Sequence, residues 1–167
     1  NMVIVNGIQY GMGRYPDAGT NLKYESHTVT PKTITDTGIG DAVNWTGAEL
    51  VISKWDWILD RCKINGHSGD IFTYTDLGST AEPANGGYYL RENDLKCLTA
   101  INEWYHNIAA GKFSIYGDPS QKEVKVATLK NVLSLSRSDY VLIDGLSLTG
   151  SIADAVYSEY GDNITIQ

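Results

Sequence analysis

Apolar and polar residues alternate in short runs along most of this chain, and turn dipeptides close many of the runs. Alternation of this kind sends every second side chain to one face and marks a half-buried strand. Val3-Ile4-Val5 enters Asn6-Gly7 and resumes as Ile8-Gln9-Tyr10, a hairpin around a dipeptide that tolerates left-handed backbone. Arg14-Tyr15-Pro16-Asp17 ends in a turn, and residues 17–32, polar with scattered Gly, Asn, Thr and Pro, read as loop. Thr33-Ile34-Thr35-Asp36 fits either state. Ala48 to Ser53 alternates as a strand, and Trp55 to Ile64 is a second extended stretch that closes at Asn65-Gly66. Asp70 to Thr75 and Tyr88-Tyr89-Leu90 follow, separated by a loop over residues 76–87 rich in Gly, Ser, Pro and Asn.

One short helix is expected. Asp94 suits an N-cap, and Leu95, Leu98 and Ile101 follow at helical spacing for about two turns. Glu103 to His106, Lys112 to Tyr116 and Val124 to Ala127 return to strand, with turns at Asn107–Gly111 and Gly117–Ser120. About eight short strands with frequent turns predict a β-sandwich-like module over residues 1–128.

From residue 129 the pattern changes to a repeat. Val141 and Ile143 recur as Ile164 and Ile166, and polar turns precede both copies, Arg137-Ser138-Asp139 and Tyr160-Gly161-Asp162. A short strand returning after about 20 to 30 residues is the signature of a solenoid. Stacked turns are needed to bury a solenoid's apolar face, so residues 129–167 predict the first turns of a longer parallel β-helix. The expectation is a mainly β chain that is a piece of something larger. Its open helix end would favour self-association.

Composition narrows the partners. A net charge of −7 with no basic run longer than a pair excludes nucleic acid. No apolar stretch is long enough for a membrane span, and the N-terminus lacks the basic start and cleavage site of a signal peptide. The 11 Tyr and 4 Trp against 2 Phe favour half-exposed sheets and sugar-contacting surfaces. Cys62 and Cys97 fit no metal spacing and could pair or stay free, with buried thiols the favoured reading. His27, His67 and His106 are far apart and share no ligand spacing.

The ordered set of Arg14-Tyr15-Pro16-Asp17, Trp45-Thr46-Gly47-Ala48-Glu49-Leu50, Gly87-Tyr88-Tyr89-Leu90, Glu103-Trp104-Tyr105 and the terminal rungs resembles a known group. It is similar to secreted bacterial right-handed parallel β-helix proteins of the pectin-lyase-like superfamily. Among these it resembles glycoside hydrolases of families 120 and 141, in which a β-sandwich-like module interrupts the helix. Asp17 and Asn102 depart from the Asn and Gly usual in those strings. The resemblance implies an extracellular or periplasmic protein acting on polysaccharide or oligosaccharide, as a hydrolase or lyase. The alternative is a non-catalytic carbohydrate-binding or adhesin β-helix. No cofactor is called for in this chain, although Ca²⁺ is compatible with the longer protein.

Glycosidases use two carboxyl groups about 5 Å apart when retaining and farther apart when inverting. Neighbouring rungs, about 4.8 Å apart, could supply such a pair. Asp144, however, falls opposite Gln167, and Glu159 opposite Ser136 or Leu135. A partner for Asp154 would lie near position 177, beyond residue 167. Asp154 and Glu159 are therefore the catalytic candidates, each with its partner expected elsewhere, and this chain alone should be inactive. Arg14, Trp45 and Trp104 are the substrate-binding candidates. Arg14 would clamp a carboxylate or fix its own loop, and the two Trp would offer sugar platforms or pack internally.

Overall fold

The computed structural model describes residues 2–40 and 42–167, and Asn1, which opens the first strand-like stretch, lies outside them. The first strands are β1 Val3–Val5, β2 Ile8–Met12, β3 Arg14–Tyr15, β4 Leu22–Lys23, β5 Ser26–Val29 and β6 Lys32–Thr35. Next come β7 Glu49–Trp55, β8 Ile58–Ser68, β9 Ile71–Asp76, β10 Tyr88–Glu92, β11 Glu103–Asn107 and β12 Lys112–Ile115. The last are β13 Val124–Val126, β14 Leu133–Ser134, β15 Leu142–Ile143, β16 Val156–Tyr157 and β17 Thr165–Ile166. The fold is mainly β, with no α-helix among the described residues. The chain divides into two compact units, residues 12–117 and residues 1–11 with 118–167. The first strands are thus grouped with the C-terminal parallel strand pairs.

Residues 12–117 are built on an eight-stranded antiparallel sheet in the order β3-β10-β7-β8-β9-β6-β5, with β4 also on β10. Alternation along β7 sends Leu50 and Ile52 to the core face, opposite Cys62 and Asp60 of β8 and Arg91 and Tyr89 of β10. Tyr24, Ile34, Ile64, Phe72, Tyr74 and Cys97 complete that buried layer. Each large apolar side chain so buried stabilises the fold by about 1.5–3 kcal/mol. Tyr24 is locked by its hydroxyl, which donates to the Ala84 carbonyl at 2.7 Å. A Cβ at Gly87 would collide with that hydroxyl and with the Ser53 carbonyl, so glycine is required there.

Three expectations are corrected. The stretch read as loop over residues 17–32 contains β4 and β5, the latter paired with β6 as a hairpin (Ser26↔Thr35). Asn65-Gly66 closes no hairpin. β8 runs through it to Ser68, and the register shifts between Ile64 and Gly66, leaving Asn65 as the extra residue of a bulge. The turn comes instead at Gly69, which takes the left-handed φ of 56°. The predicted helix is a single 3₁₀ turn, Leu95–Cys97, capped as expected by the Asp94 side chain on the Lys96 amide. Leu95 and Ile101 are 57% and 75% exposed, so the helical spacing has no apolar face to bury.

In the other unit the predicted Asn6-Gly7 hairpin is present, with Val3 opposite Tyr10 and both turn residues at positive φ. β13 pairs with the other edge of β1. The 23-residue repeat takes physical form as parallel pairs: Leu133 meets Val156, Leu142 meets Thr165 and Ile143 meets Ile166. Backbone hydrogen bonds join the two copies from Ala153→Lys130 to Gly145→Gln167. Ile143 is buried and its in-register partner Ile166 is exposed.

Candidate functional site

The core face of the eight-stranded sheet carries a guanidinium. Arg91 lies in β10 directly opposite Tyr15 on one side and Leu50 on the other. Its neighbour Tyr89 shares its face, so strand alternation turns Arg91 inward, and it is only 3% exposed. The Arg91 Cζ is 4.1 Å from the centre of the Trp45 ring and 4.5 Å from that of Tyr15. Those two rings are 5.5 Å apart and tilted by 34°. The guanidinium therefore rests in the notch of two rings rather than between parallel plates. Such cation–π contacts contribute about 0.5–2 kcal/mol each.

Trp45 is held by its backbone. Its amide donates to His67 Nδ1 at 3.3 Å, its carbonyl accepts from Ala48 at 3.0 Å, and Gly47 donates to Ile64 at 2.9 Å. His67 Nε2 is 2.9 Å from the Gly69 carbonyl. With Nδ1 accepting from Trp45, Nε2 is the ring nitrogen that donates to that carbonyl.

Above the guanidinium opens a cavity of about 550 Å³, lined by Tyr15, Trp45, Arg91, Ile39, Val43 and Lys96 among others. Its size falls in the range of small-ligand sites. Val43, Lys96 and Thr99 at its rim are exposed. Lys96 pairs with Asp94 at 2.7 Å and reaches to 5.7 Å from the Trp45 ring. Among the described residues no carboxylate pairs with Arg91, and its buried Nε has no hydrogen-bond acceptor. Burial pushes the guanidinium below its ordinary pKa, opposed by nearby Tyr89, Tyr15, Cys97 and Asp36. Asp36 is committed elsewhere: one oxygen accepts from the Tyr89 hydroxyl at 2.7 Å, the other from the Gly38 amide at 2.7 Å.

A second buried cation lies on the same face. Lys54 Nζ is 2.8 Å from both Asp60 and Asp76 and donates to the Ser79 carbonyl at 2.6 Å. Asp60, Cys62 and Asp76 converge as a metal-ligand set would, but the Lys54 ammonium already supplies the positive charge there. Burial pushes the Cys62 and Cys97 thiols up to about 12, so both free thiols are poor nucleophiles.

The opposite face of β10 presents a carboxylate pair. Arg61 Nη1 is 2.5 Å from Glu92 and 3.3 Å from Glu49, and Asn93 donates to Glu49 at 2.6 Å. Burial raises the Glu92 carboxyl, with Arg61 opposing. Arg61 fills the gap between the two acids, where a reacting oxygen would have to stand.

The residues nominated from sequence are dispersed. Arg14 donates to the carbonyls of Pro16 at 2.9 Å and Thr20 at 2.5 Å and to Asn21 Oδ1 at 2.9 Å, so its guanidinium holds its own loop. Trp45 lines the cavity with a face turned to Arg91. Trp104 is 3% exposed and stacks on Phe113 at 5.7 Å, which leaves it no free face as a sugar platform. Asp154 and Glu159 are exposed and flank β16. Glu159 accepts from the Tyr157 hydroxyl at 2.6 Å. One rung earlier the equivalent of Asp154 is Asn131, an amide. Arg91 itself went unread because Arg91-Glu92 looks like a polar exit from the short run Tyr88-Tyr89-Leu90. Its parity with Tyr89 was the available signal.

No family model matches this chain, and no curated protein does. One solved structure, described as a glycoside hydrolase, superposes with a TM-score of 0.62 at 18% identity. The match covers 83% of this chain and 30% of that one, so the chain spans under a third of its length. The likeness is one of fold.

Proposed function

We propose that this chain is part of a secreted glycan-acting protein in which residues 129–167 begin a parallel β-helix and the preceding module binds carbohydrate. The observation that carries this reading is the cavity walled by Tyr15 and Trp45, with a guanidinium at its base. Aromatic faces beside fixed polar donors suit sugar rings, which are apolar on their faces and hydroxylated at their edges. The fold likeness to a glycoside hydrolase supports the same class. In the longer protein Asp154 and Glu159 would contribute to acid–base chemistry on the rungs, with partner carboxylates from residues outside this chain. The second reading, a non-catalytic carbohydrate-binding protein, is favoured by Asn131 standing one rung from Asp154, where a carboxylate would be needed for a pair.

Affinity electrophoresis of the 167-residue chain through gels containing a polysaccharide panel tests the proposal. Retardation by at least one glycan without its hydrolysis is expected, and Tyr15→Ala, which removes the half-exposed ring of the cavity wall, should weaken the retardation while leaving the far-UV spectrum unchanged. Migration unaffected by every glycan would overturn the reading.

A further inference from the structure

We propose that the cavity over Arg91 selects a carboxylate, so that the sugar it takes is a uronic acid residue of an acidic glycan. This rests on the glycan reading above and names the substrate class within it. A guanidinium offers five N–H donors in a planar fork that matches the two oxygens of a carboxylate. In Arg91 that fork is buried and lacks a carboxylate or an acceptor for Nε among the described residues. Buried charges are ordinarily paired, and Lys54 on the same face has two carboxylates and a carbonyl. The open valence at Arg91 is therefore a feature of this one position and not of the sheet.

Three further observations point the same way. The rings of Tyr15 and Trp45 hold the guanidinium in place before any ligand arrives, which lowers the ordering cost of binding. Among the described residues the carboxylate of Asp36 acts on Arg91, and it is taken up by Tyr89 and Gly38. Lys96, held by Asp94 at 2.7 Å, places a further N–H donor group at the rim. Ile39 and Val43 line the rest of the wall and suit the apolar face of a pyranose.

Titration calorimetry with hexuronate oligosaccharides and their carboxyl-reduced neutral counterparts is the test, because the two ligands differ only in the group that Arg91 would bind. The acidic form should bind about tenfold tighter or more. Arg91→Gln should erase that preference. Arg91→Lys, which keeps the charge but loses the fork, should lose most of it. The wild-type comparison stands even where a variant does not fold. Equal affinity for acidic and reduced forms would overturn the carboxylate assignment and leave the glycan reading standing. Binding of a Glu-rich peptide with neither oligosaccharide bound would overturn both.

Discussion

Lys54 of β7 and Arg91 of β10 project from the same core-facing side of one sheet, and each is almost wholly removed from water. Lys54 is enclosed by Asp60, Asp76 and the Ser79 carbonyl, which use its three ammonium protons. Arg91 is enclosed by rings, and among the described residues its buried Nε has no acceptor. A lysine is a compact point charge that three acceptors can saturate, whereas a guanidinium tolerates aromatic faces and leaves its edge available. The difference separates a cation that holds the fold from a cation that waits for a partner. A buried charge by itself marks neither role, and the state of its donors decides.

The comparison breaks most readily through stability. Lys54→Met would leave two carboxylates in the interior without their counter-charge and should cost about 3–5 kcal/mol in urea unfolding. Arg91→Met removes a charge that, among the described residues, has no carboxylate to orphan, and the lost ring contacts are offset by the relieved desolvation. Its cost should stay within about 1 kcal/mol. Equal losses for the two variants would erase the distinction.

Acid sharpens it. Burial alone would raise the Asp76 carboxyl, but hydrogen bonds from Lys32 and Lys54 outweigh burial and hold it below the ordinary aspartate range. A folded pKa depressed in this way contributes stability that is present above the unfolded value and lost as pH falls through the folded one. Urea midpoints followed from neutral pH downward should therefore decline below the ordinary aspartate range, and the decline should be shallower in Lys54→Met. An identical acid limb in both proteins would contradict the role given to the Lys54–Asp76 contact.

An effect well below that of Lys54→Met concerns Arg14, on the strand beside that of Arg91. Arg14→Gln removes ties from its guanidinium to the 16–21 loop and should cost about 0.5–1.5 kcal/mol. It should leave any preference for hexuronate unchanged in the calorimetric assay. A lost preference would move the anion site from Arg91 to Arg14.

Local rules made much of the fold legible. Asn6-Gly7 marked a hairpin because few residues accept two successive positive φ angles, and the 23-residue spacing of Val141 and Ile164 anticipated the parallel register. The misses have physical causes. Leu95, Leu98 and Ile101 have helical spacing but no surface to pack on, and Asn65-Gly66 carries turn chemistry that a bulge uses equally well. The candidate site was hidden more deeply. Trp45 was nominated, but Arg91 depends on Tyr15 and Trp45, 76 and 46 positions earlier in the chain, and no local pattern announces that meeting. Lys54 likewise gains meaning only from Asp60 and Asp76 across two hairpins.

The equal separation of Leu133 from Val156 and of Leu142 from Thr165 restricts how this part of the chain can change length. Deleting one residue between Ile143 and Val156 would shift β16 against β14 by one position and turn its side chains to the wrong face. Gain or loss of a whole 23-residue block would keep every column in register. Insertions and deletions tolerated here should therefore come as complete 23-residue blocks, or as bulges confined to the connections between the short strands.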